Sequence, residues 1–86
     1  MFCQRFGLDV YFTRHARERM SQRGITDADI EYLLQNGTAR YKDTTRLWIA
    51  MYFPERSDNL ICIAVSLEKK LIIKTVMHNF QWEVGS

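Results

Sequence analysis

The feature that most constrains the fold is a change of sequence period at Gly37. Before it, apolar residues recur at helical spacing, so that Ile30, Leu33 and Leu34 share one face of the segment 27–36. After it, apolar runs of strand length are separated by short polar connections. Connections this short cannot carry the crossover that a parallel pair needs, so consecutive strands should pair antiparallel. The pattern predicts an α+β fold.

Four strand-like segments follow Gly37. They are TARYK (38–42), RLWIAMYF (46–53), LICIAVSL (60–67) and LIIKTVMHNF (71–80). The predicted architecture is two N-terminal helices packed on one face of a roughly four-stranded, mainly antiparallel sheet. At this length the chain should form a single domain over residues 1–86. Ahead of the helices, LDVYF (8–12) alternates loosely and predicts a short extended lead-in.

Both helices carry recognisable start and stop signals. Thr13 is placed to cap the N-terminus of RHARERMSQR (14–23), and Gly24 to end it. The next helix opens with Thr26 and Asp29, which have the spacing of a capping box with Asp in place of the usual Glu or Gln. Gly37 should end that helix.

Composition narrows the class of protein. A hydrophobic fraction of 47% with 13% aromatic residues is typical of a folded core. Cys3 and Cys62 form no zinc-like or disulfide-framework pattern, and no apolar run approaches the roughly 20 residues of a membrane span. We therefore expect a cytoplasmic protein with no metal, no cofactor and no membrane. The net charge of +2 permits a polyanionic partner, and segment 14–23 concentrates four arginines against one glutamate.

Alternation along the predicted strands places cations and aromatic rings on one face of the sheet. Its members would be Arg46, Trp48, Tyr52, Lys74 and His78. Single-stranded RNA requires this combination, with charge for its phosphates and flat rings for its bases. The same pattern fits an exposed antiparallel face whose aromatic residues form cross-strand pairs.

A second candidate site lies on the first helix. Ala16 and Met20 form its apolar stripe, and His15, Arg19 and Arg23 lie along the border of that stripe. Cleavage of RNA needs a base for the 2′-hydroxyl and an acid for the leaving oxygen, and histidine serves both because its unperturbed pKa is about 6.5. Arginine can clamp the phosphate and stabilise developing charge. The alternative is that these arginines only flank a core face.

The segment 13–37, TRHARERMSQRGITDADIEYLLQNG, resembles the opening of a family of small bacterial proteins catalogued as a domain of unknown function. The residues that carry the resemblance are His15, Ala16, Arg19, Met20, Arg23, Gly24, Ile25 and Gly37. A late Thr-Val pair, here Thr75-Val76, agrees as well.

That family is similar to the RelE, BrnT and MqsR toxins and to EndoU- and colicin-like ribonucleases. The resemblance implies a RelE-like (BECR-type) fold and a toxin of a toxin–antitoxin system that acts on RNA, free or on the ribosome, as a metal-independent endoribonuclease. It also implies a small antitoxin protein as partner. Residue by residue, it implies His15 as general acid or base, Arg19 and Arg23 as phosphate ligands, and Thr75 as a residue that positions the substrate.

One position departs from the toxin pattern. The tyrosine expected two residues after Thr75 is Met77, which cannot act as acid, base or donor. His78 follows, but alternation points it to the opposite face. Alternation places Thr75 on the helix-covered face, where it would meet His15 and Arg23. The departure keeps open an alternative function, a non-catalytic RNA- or protein-binding module with the same fold, and a third, a subunit of a larger assembly.

Overall fold

The computed structural model describes residues 1–56 and 60–81. Within these ranges the chain forms two helices and six strands. In chain order they are β1 (Phe2–Cys3), β2 (Leu8–Phe12), α1 (Arg14–Arg23), α2 (Asp27–Asn36), β3 (Thr38–Tyr41), β4 (Arg46–Tyr52), β5 (Leu60–Leu67) and β6 (Leu71–Met77). Part of the predicted turn at 54–59 lies outside the described residues.

The strands form one mixed sheet in the order β1-β2-β6-β5-β4-β3. The pairs that follow Gly37 are antiparallel, whereas β2 pairs parallel with β6, Tyr11 opposite Ile72. The prediction of a four-stranded, mainly antiparallel sheet is therefore wrong. Short connections do enforce antiparallel neighbours, but they say nothing about β2, whose crossover to β6 comprises both helices and three strands.

The two helices were predicted to lie together on one face of a four-stranded sheet, and this prediction is wrong. The first, α1, continues from the end of β2 and lies alongside β6, while α2 contacts β4 and β1. The backbone amide of Thr13 donates to the carbonyl oxygen of Ile73 at 3.1 Å, and the guanidinium of Arg23 donates to the carbonyl oxygen of Val76. Since β2 ends at Phe12, α1 takes over the edge of β6 that β2 leaves unpaired.

The helix boundaries follow the predicted signals. Thr13 and Thr26 are the N-caps, and Asp29 completes the capping box with Thr26, so this prediction is confirmed. Gly24 ends α1 in the left-handed conformation, at φ 62°. Gly37 follows α2 in an extended conformation. Glycine is required there for lack of space, because a Cβ would lie 2.6 Å from the carbonyl oxygen of Leu33.

The core is formed by side chains from both helices and from the strands that they contact. Its helical contributors include Ala16 and Met20 from α1, and Ile30, Leu33 and Leu34 from α2, as predicted. The strands supply the remaining central side chains. These are Leu47, Ile49, Ile61, Ile63, Val65, Leu71, Ile73 and Val76. We call the side of β4, β5 and β6 that points away from this core the distal face.

A β-bulge changes the side-chain phase of β6. Ala64 pairs with Thr75 and the next residue, Val65, pairs with Ile73, so Lys74 is the extra residue. Val76 is consequently fully buried in the core, and Thr75 points to the distal face. Regular alternation predicted the reverse for Thr75, and it fails because one inserted residue exchanges the two faces of everything beyond it.

Candidate nucleic-acid interface

The register of the sheet sets neighbouring rows of side chains on the distal face. One row runs Tyr11–Ile72–Ser66–Arg46 across β2, β6, β5 and β4. The next runs Thr75–Ala64–Trp48–Arg40 across β6, β5, β4 and β3. Adjacent strands lie about 4.8 Å apart, so Thr75 is roughly 10 Å from Trp48, two strand spacings away.

A concavity of about 150 Å³ opens beside Trp48. Three cations line it, namely Lys42, Arg46 and Lys74, and its walls include Ala64 and Ser66 among others. The indole is 37% exposed, so its ring remains available to a ligand. Three of the residues predicted from alternation, Arg46, Trp48 and Lys74, thus surround one space.

A second concavity, of about 420 Å³, lies next to it at the β5–β6 turn. It is lined by Tyr11, Glu68, Lys69, Lys70 and Ile72. The Tyr11 side chain is 53% exposed and belongs to the same row as Arg46. The two concavities therefore adjoin on the distal face.

The chain contains four lysines, at 42, 69, 70 and 74, and every one lines one of these two concavities. Together with Arg46 they surround two exposed aromatic rings. We call this surface the cationic face. It consists of Tyr11, Lys42, Arg46, Trp48, Lys69, Lys70 and Lys74.

Two carboxylates lie at the cationic face, and both are engaged in hydrogen bonds. Asp43 accepts from the backbone amides of Thr45 and Arg46, and its other oxygen accepts from the Arg46 guanidinium at 2.7 Å. These bonds, above all the one from the Arg46 guanidinium, hold the pKa of Asp43 well below its ordinary value. Glu68 accepts from the hydroxyl of Ser66 at 3.0 Å. Arg46 is thus held in place by its counter-ion.

The other two residues predicted for this face lie elsewhere. Tyr52, at the far end of β4, lines a separate concavity with Asp29 and Glu55. His78 follows the end of β6, is half-buried and lines neither concavity of the cationic face. The predicted strand ran on to residue 80, but β6 ends at Met77, and Asn79 has a positive φ of 51°.

His15 and Arg19 lie on the side of α1 that faces away from α2. Arg17 marks the opposite side, because it forms an ion pair with Asp27 at the start of α2 and stacks over Phe12 at 3.9 Å. At 100° per residue, His15 and Arg19 are about 160° around the helix from Arg17. They consequently point away from Arg17 and its partners, and His15 is exposed.

Arg23 has a structural partner. Its guanidinium donates to the Val76 carbonyl, and its own carbonyl accepts from Arg56 at 2.6 Å. Arg56 also donates to the carbonyl of Gly24, so it closes the C-terminal end of α1. Arg23 therefore fixes α1 to β6 one residue from Thr75, whatever else it binds.

The predicted convergence of His15, Arg23 and Thr75 beneath the helix is not what the structure shows. Thr75 is on the distal face, opposite Ala64, and not on the core side where the convergence was predicted. Met77 follows Thr75 on the distal face and is half-buried. Among the candidates, Arg46, Trp48 and Lys74 share a concavity. His15 and Arg19 lie on one side of α1, Thr75 lies on the distal face, and Tyr52 and His78 lie outside the cationic face.

Sequence reasoning missed Tyr11, Lys42, Lys69 and Lys70. The three lysines lie in or beside predicted turns, and a cluster of turn lysines at one end of antiparallel strands could have been inferred from the strand order. Tyr11 carried no such signal, because its place beside Ile72 depends on the parallel pairing of β2 with β6.

Other kinds of site find little support within residues 1–56 and 60–81. No three His, Cys, Asp or Glu side chains in these ranges are grouped so that they could hold a metal ion. Neither helix described there is long and apolar enough to cross a membrane. Both cysteines are free and buried, and burial raises the pKa of the Cys62 thiol to about 12, which makes it a poor nucleophile.

A family comparison fits the residues singled out above. The model of a domain of unknown function, DUF4258, matches residues 12–78, which include α1, α2 and all of β3 to β6. The chain belongs to this family. No curated protein and no solved structure matches it. The family's description names no activity, so the function must be argued from the residues of this chain.

Proposed function

We propose that this DUF4258 protein binds single-stranded RNA along the cationic face and cleaves it as a metal-independent endoribonuclease, in the manner of a toxin that an antitoxin protein restrains. The observation that carries the proposal is the convergence of all four lysines and Arg46 around the exposed rings of Trp48 and Tyr11. Lysines can bind the phosphates of an RNA backbone, and exposed aromatic rings can stack with unpaired bases.

The geometry favours a single strand over a duplex. The concavity beside Trp48 is partly walled by the small side chain of Ala64, and Trp48 is itself partly exposed. A base can stack there only if it is free of its own stack, as in a loop or an unpaired strand. Lys74 and Lys42 would then meet the phosphates on either side of that base.

The cleavage chemistry is assigned to His15 and Arg19 of α1, of which His15 is exposed, and to Thr75 on the distal face. His15 would take the proton of the 2′-hydroxyl, the 2′-oxygen would attack phosphorus, and the bond from phosphorus to the 5′-oxygen would break. The leaving oxygen would take a proton from water, giving a 2′,3′-cyclic phosphate and a 5′-hydroxyl end. Arg19 would stabilise the charge on the phosphoryl oxygens, and Thr75 would position the strand.

Binding and cleavage are tested separately. For binding, fluorescence anisotropy with a labelled 12-nucleotide RNA of mixed sequence would compare the wild type with the double variant Lys42→Ala/Lys74→Ala. The variant should bind at least tenfold more weakly, and the slope of log affinity against log salt should fall by about 0.7 per lost phosphate contact. Arg14→Gln, which removes a charge on the exposed side of α1, is the control. If both variants lost the same amount of RNA affinity, binding would depend on the overall charge of the protein and not on the cationic face.

For cleavage, the same RNA would be incubated with wild type and with His15→Ala in the presence of EDTA, and its fragments identified by mass. Fragments ending in a cyclic phosphate should form with the wild type only. If both proteins leave the RNA intact while binding it equally, the enzymatic part of the proposal is refuted. That result would support the second candidate, a non-catalytic RNA-binding module, which the methionine at position 77 favours.

A further inference from the structure

A separate concavity of about 340 Å³ lies between the first turn of α2 and the end of β4. Its size is at the lower end of the range of small-ligand sites, about 300 to 1,000 Å³. We call it the tyrosine pocket. It is lined by Asp29, Tyr32, Met51, Tyr52, Phe53, Pro54 and Glu55.

The chemistry of the tyrosine pocket is opposite to that of the cationic face. Its two ionisable acids are Asp29 and Glu55, and none of its lining residues is a cation. Both tyrosines are strongly exposed, Tyr32 at 56% and Tyr52 at 59%. Exposed rings next to carboxylates attract a cation, which gains from the ring faces and from the charges together. Phosphate would be repelled.

Neither carboxylate is exhausted by its existing contacts. One oxygen of Asp29 accepts from the backbone amide of Thr26 at 2.9 Å, which fixes the side chain and leaves its second oxygen available. Glu55 is exposed, so its carboxylate can reach a ligand. The pocket therefore combines one positioned acid with one adaptable acid.

From this arrangement we infer that the tyrosine pocket binds an arginine side chain presented by a partner protein. Arginine fits better than lysine because its planar guanidinium stacks on tyrosine and donates two parallel hydrogen bonds to a carboxylate. Apolar walls from Met51, Phe53 and Pro54 would contact the methylene stem of that side chain. The inference is independent of RNA binding or cleavage.

The position of the pocket allows both surfaces to be occupied at once. Arg46 and Tyr52 are the first and last residues of β4, so at about 3.4 Å per residue they lie roughly 20 Å apart. A protein segment held at Tyr52 would leave Trp48 uncovered unless it extended along the strand.

The probe for this inference is a short peptide, acetyl-Ala-Arg-Gly-Arg-Ala-amide, titrated into ¹⁵N-labelled full-length protein and followed by amide chemical shifts. Saturable shifts should cluster at Tyr32, Tyr52 and Glu55. The matched peptide with citrulline in place of arginine keeps the shape and loses the charge, and it should cause no saturable shift. Equal binding of the citrulline peptide would overturn the inference.

Variants locate the site. Tyr52→Ala should weaken the arginine peptide about two- to fivefold, the effect of one exposed cation–π contact. Glu55→Gln should weaken it about threefold. Glu31→Gln is the control, because Glu31 is an exposed acid on α2 that does not line the pocket. A loss in Glu31→Gln equal to that in Glu55→Gln would mean that the peptide responds only to net charge, and would refute the site. An unlabelled RNA 12-mer should not displace the peptide, whatever the outcome of the cleavage assay.

Discussion

The two ends of β4 carry exposed aromatic residues in opposite electrostatic surroundings. At one end Trp48 is surrounded by Lys42, Arg46 and Lys74, and at the other Tyr52 lies with Asp29 and Glu55. Alternation along the strand gives these two rings the same orientation, so it predicted the same role for both. The difference teaches that an exposed ring does not identify a ligand by itself. The charged side chains that neighbouring elements bring to the ring decide it.

The two regions are also built differently. The cationic face is built on hydrogen-bonded strands, and its charges come from the turns, from Arg46 at the start of β4 and from the bulge at Lys74. The tyrosine pocket lies between a helix and a strand, so its shape depends on how α2 packs against the core. Substitutions can therefore disturb one region and spare the other.

The largest effect is expected from Ile30→Ala. Ile30 is fully buried on α2, the helix that carries Asp29 and Tyr32, and its truncation should lower the free energy of unfolding by about 2–4 kcal/mol. Urea denaturation followed by circular dichroism measures this. Where the variant is still folded, the arginine peptide should bind more weakly and RNA affinity should change less than twofold. A loss of stability below about 0.5 kcal/mol would contradict the burial of Ile30 in the core.

The next largest effect distinguishes the two rings directly. Trp48→Ala should reduce RNA affinity by about 1–3 kcal/mol, the range found for a stacked base, as measured by anisotropy. Tyr52→Ala serves as its matched control and should leave RNA affinity within about twofold, because carboxylates surround that ring. Similar losses in the two variants would abolish the distinction between the two ends of β4.

Thr26→Ala should cost about 1 kcal/mol of stability in thermal or urea unfolding, since it removes the N-cap of α2 and half of the capping box. Thr26→Ser keeps the hydroxyl and should cost much less. Because the backbone amide of Asp29 loses its acceptor in the alanine variant, the first turn of α2 is held less firmly. Peptide binding should therefore weaken slightly while RNA binding stays constant. A change in RNA affinity with unchanged peptide affinity would invert the expected pattern.

The smallest effect concerns Asp43, which offsets part of the positive charge at the cationic face. Asp43→Asn keeps an acceptor for the amides of Thr45 and Arg46 and removes the negative charge, so RNA affinity should rise about two- to threefold. In the wild type, the pKa of the Asp43 carboxyl group is lowered below its ordinary value. The contribution of this carboxylate to stability is therefore fully present at any pH above the ordinary pKa, and it is lost only when the pH falls through the lowered pKa. The ratio of variant to wild-type affinity should therefore stay constant from about pH 5 to pH 8.

The parts of the fold that the sequence predicted are the parts that local chemistry determines. Thr13, Gly24, Thr26 and Asp29 act within their own helix ends, and these predictions are confirmed. The side-chain faces of β4 follow from strict alternation, which explains why Arg46 and Trp48 share a concavity as expected. The helical residues of the core could likewise be predicted from their spacing in the sequence.

The features that sequence reasoning missed depend on non-local contacts. No local pattern reveals that β2 is the parallel neighbour of β6, so the six-stranded sheet and the place of Tyr11 could not be derived. The bulge at Lys74 reverses Thr75 through a register that is set by the partner strand. The prediction that Thr75 lies under the helix was wrong for that reason.

The parallel pairing of β2 with β6 joins residues 10–12 to residues 71–73, close to the two ends of the described chain. During synthesis from the N-terminus, the edge of β2 that faces β6 must stay unpaired until residues 71–73 have left the ribosome, although the other edge can pair with β1. A chain stopped before Leu71 cannot complete the sheet. Closing so long a loop is entropically costly and is one of the contacts that slow folding. We expect the hairpins formed by β3, β4 and β5 to form early, and the docking of β2 with α1 behind it to be a late step that any truncation of β6 prevents.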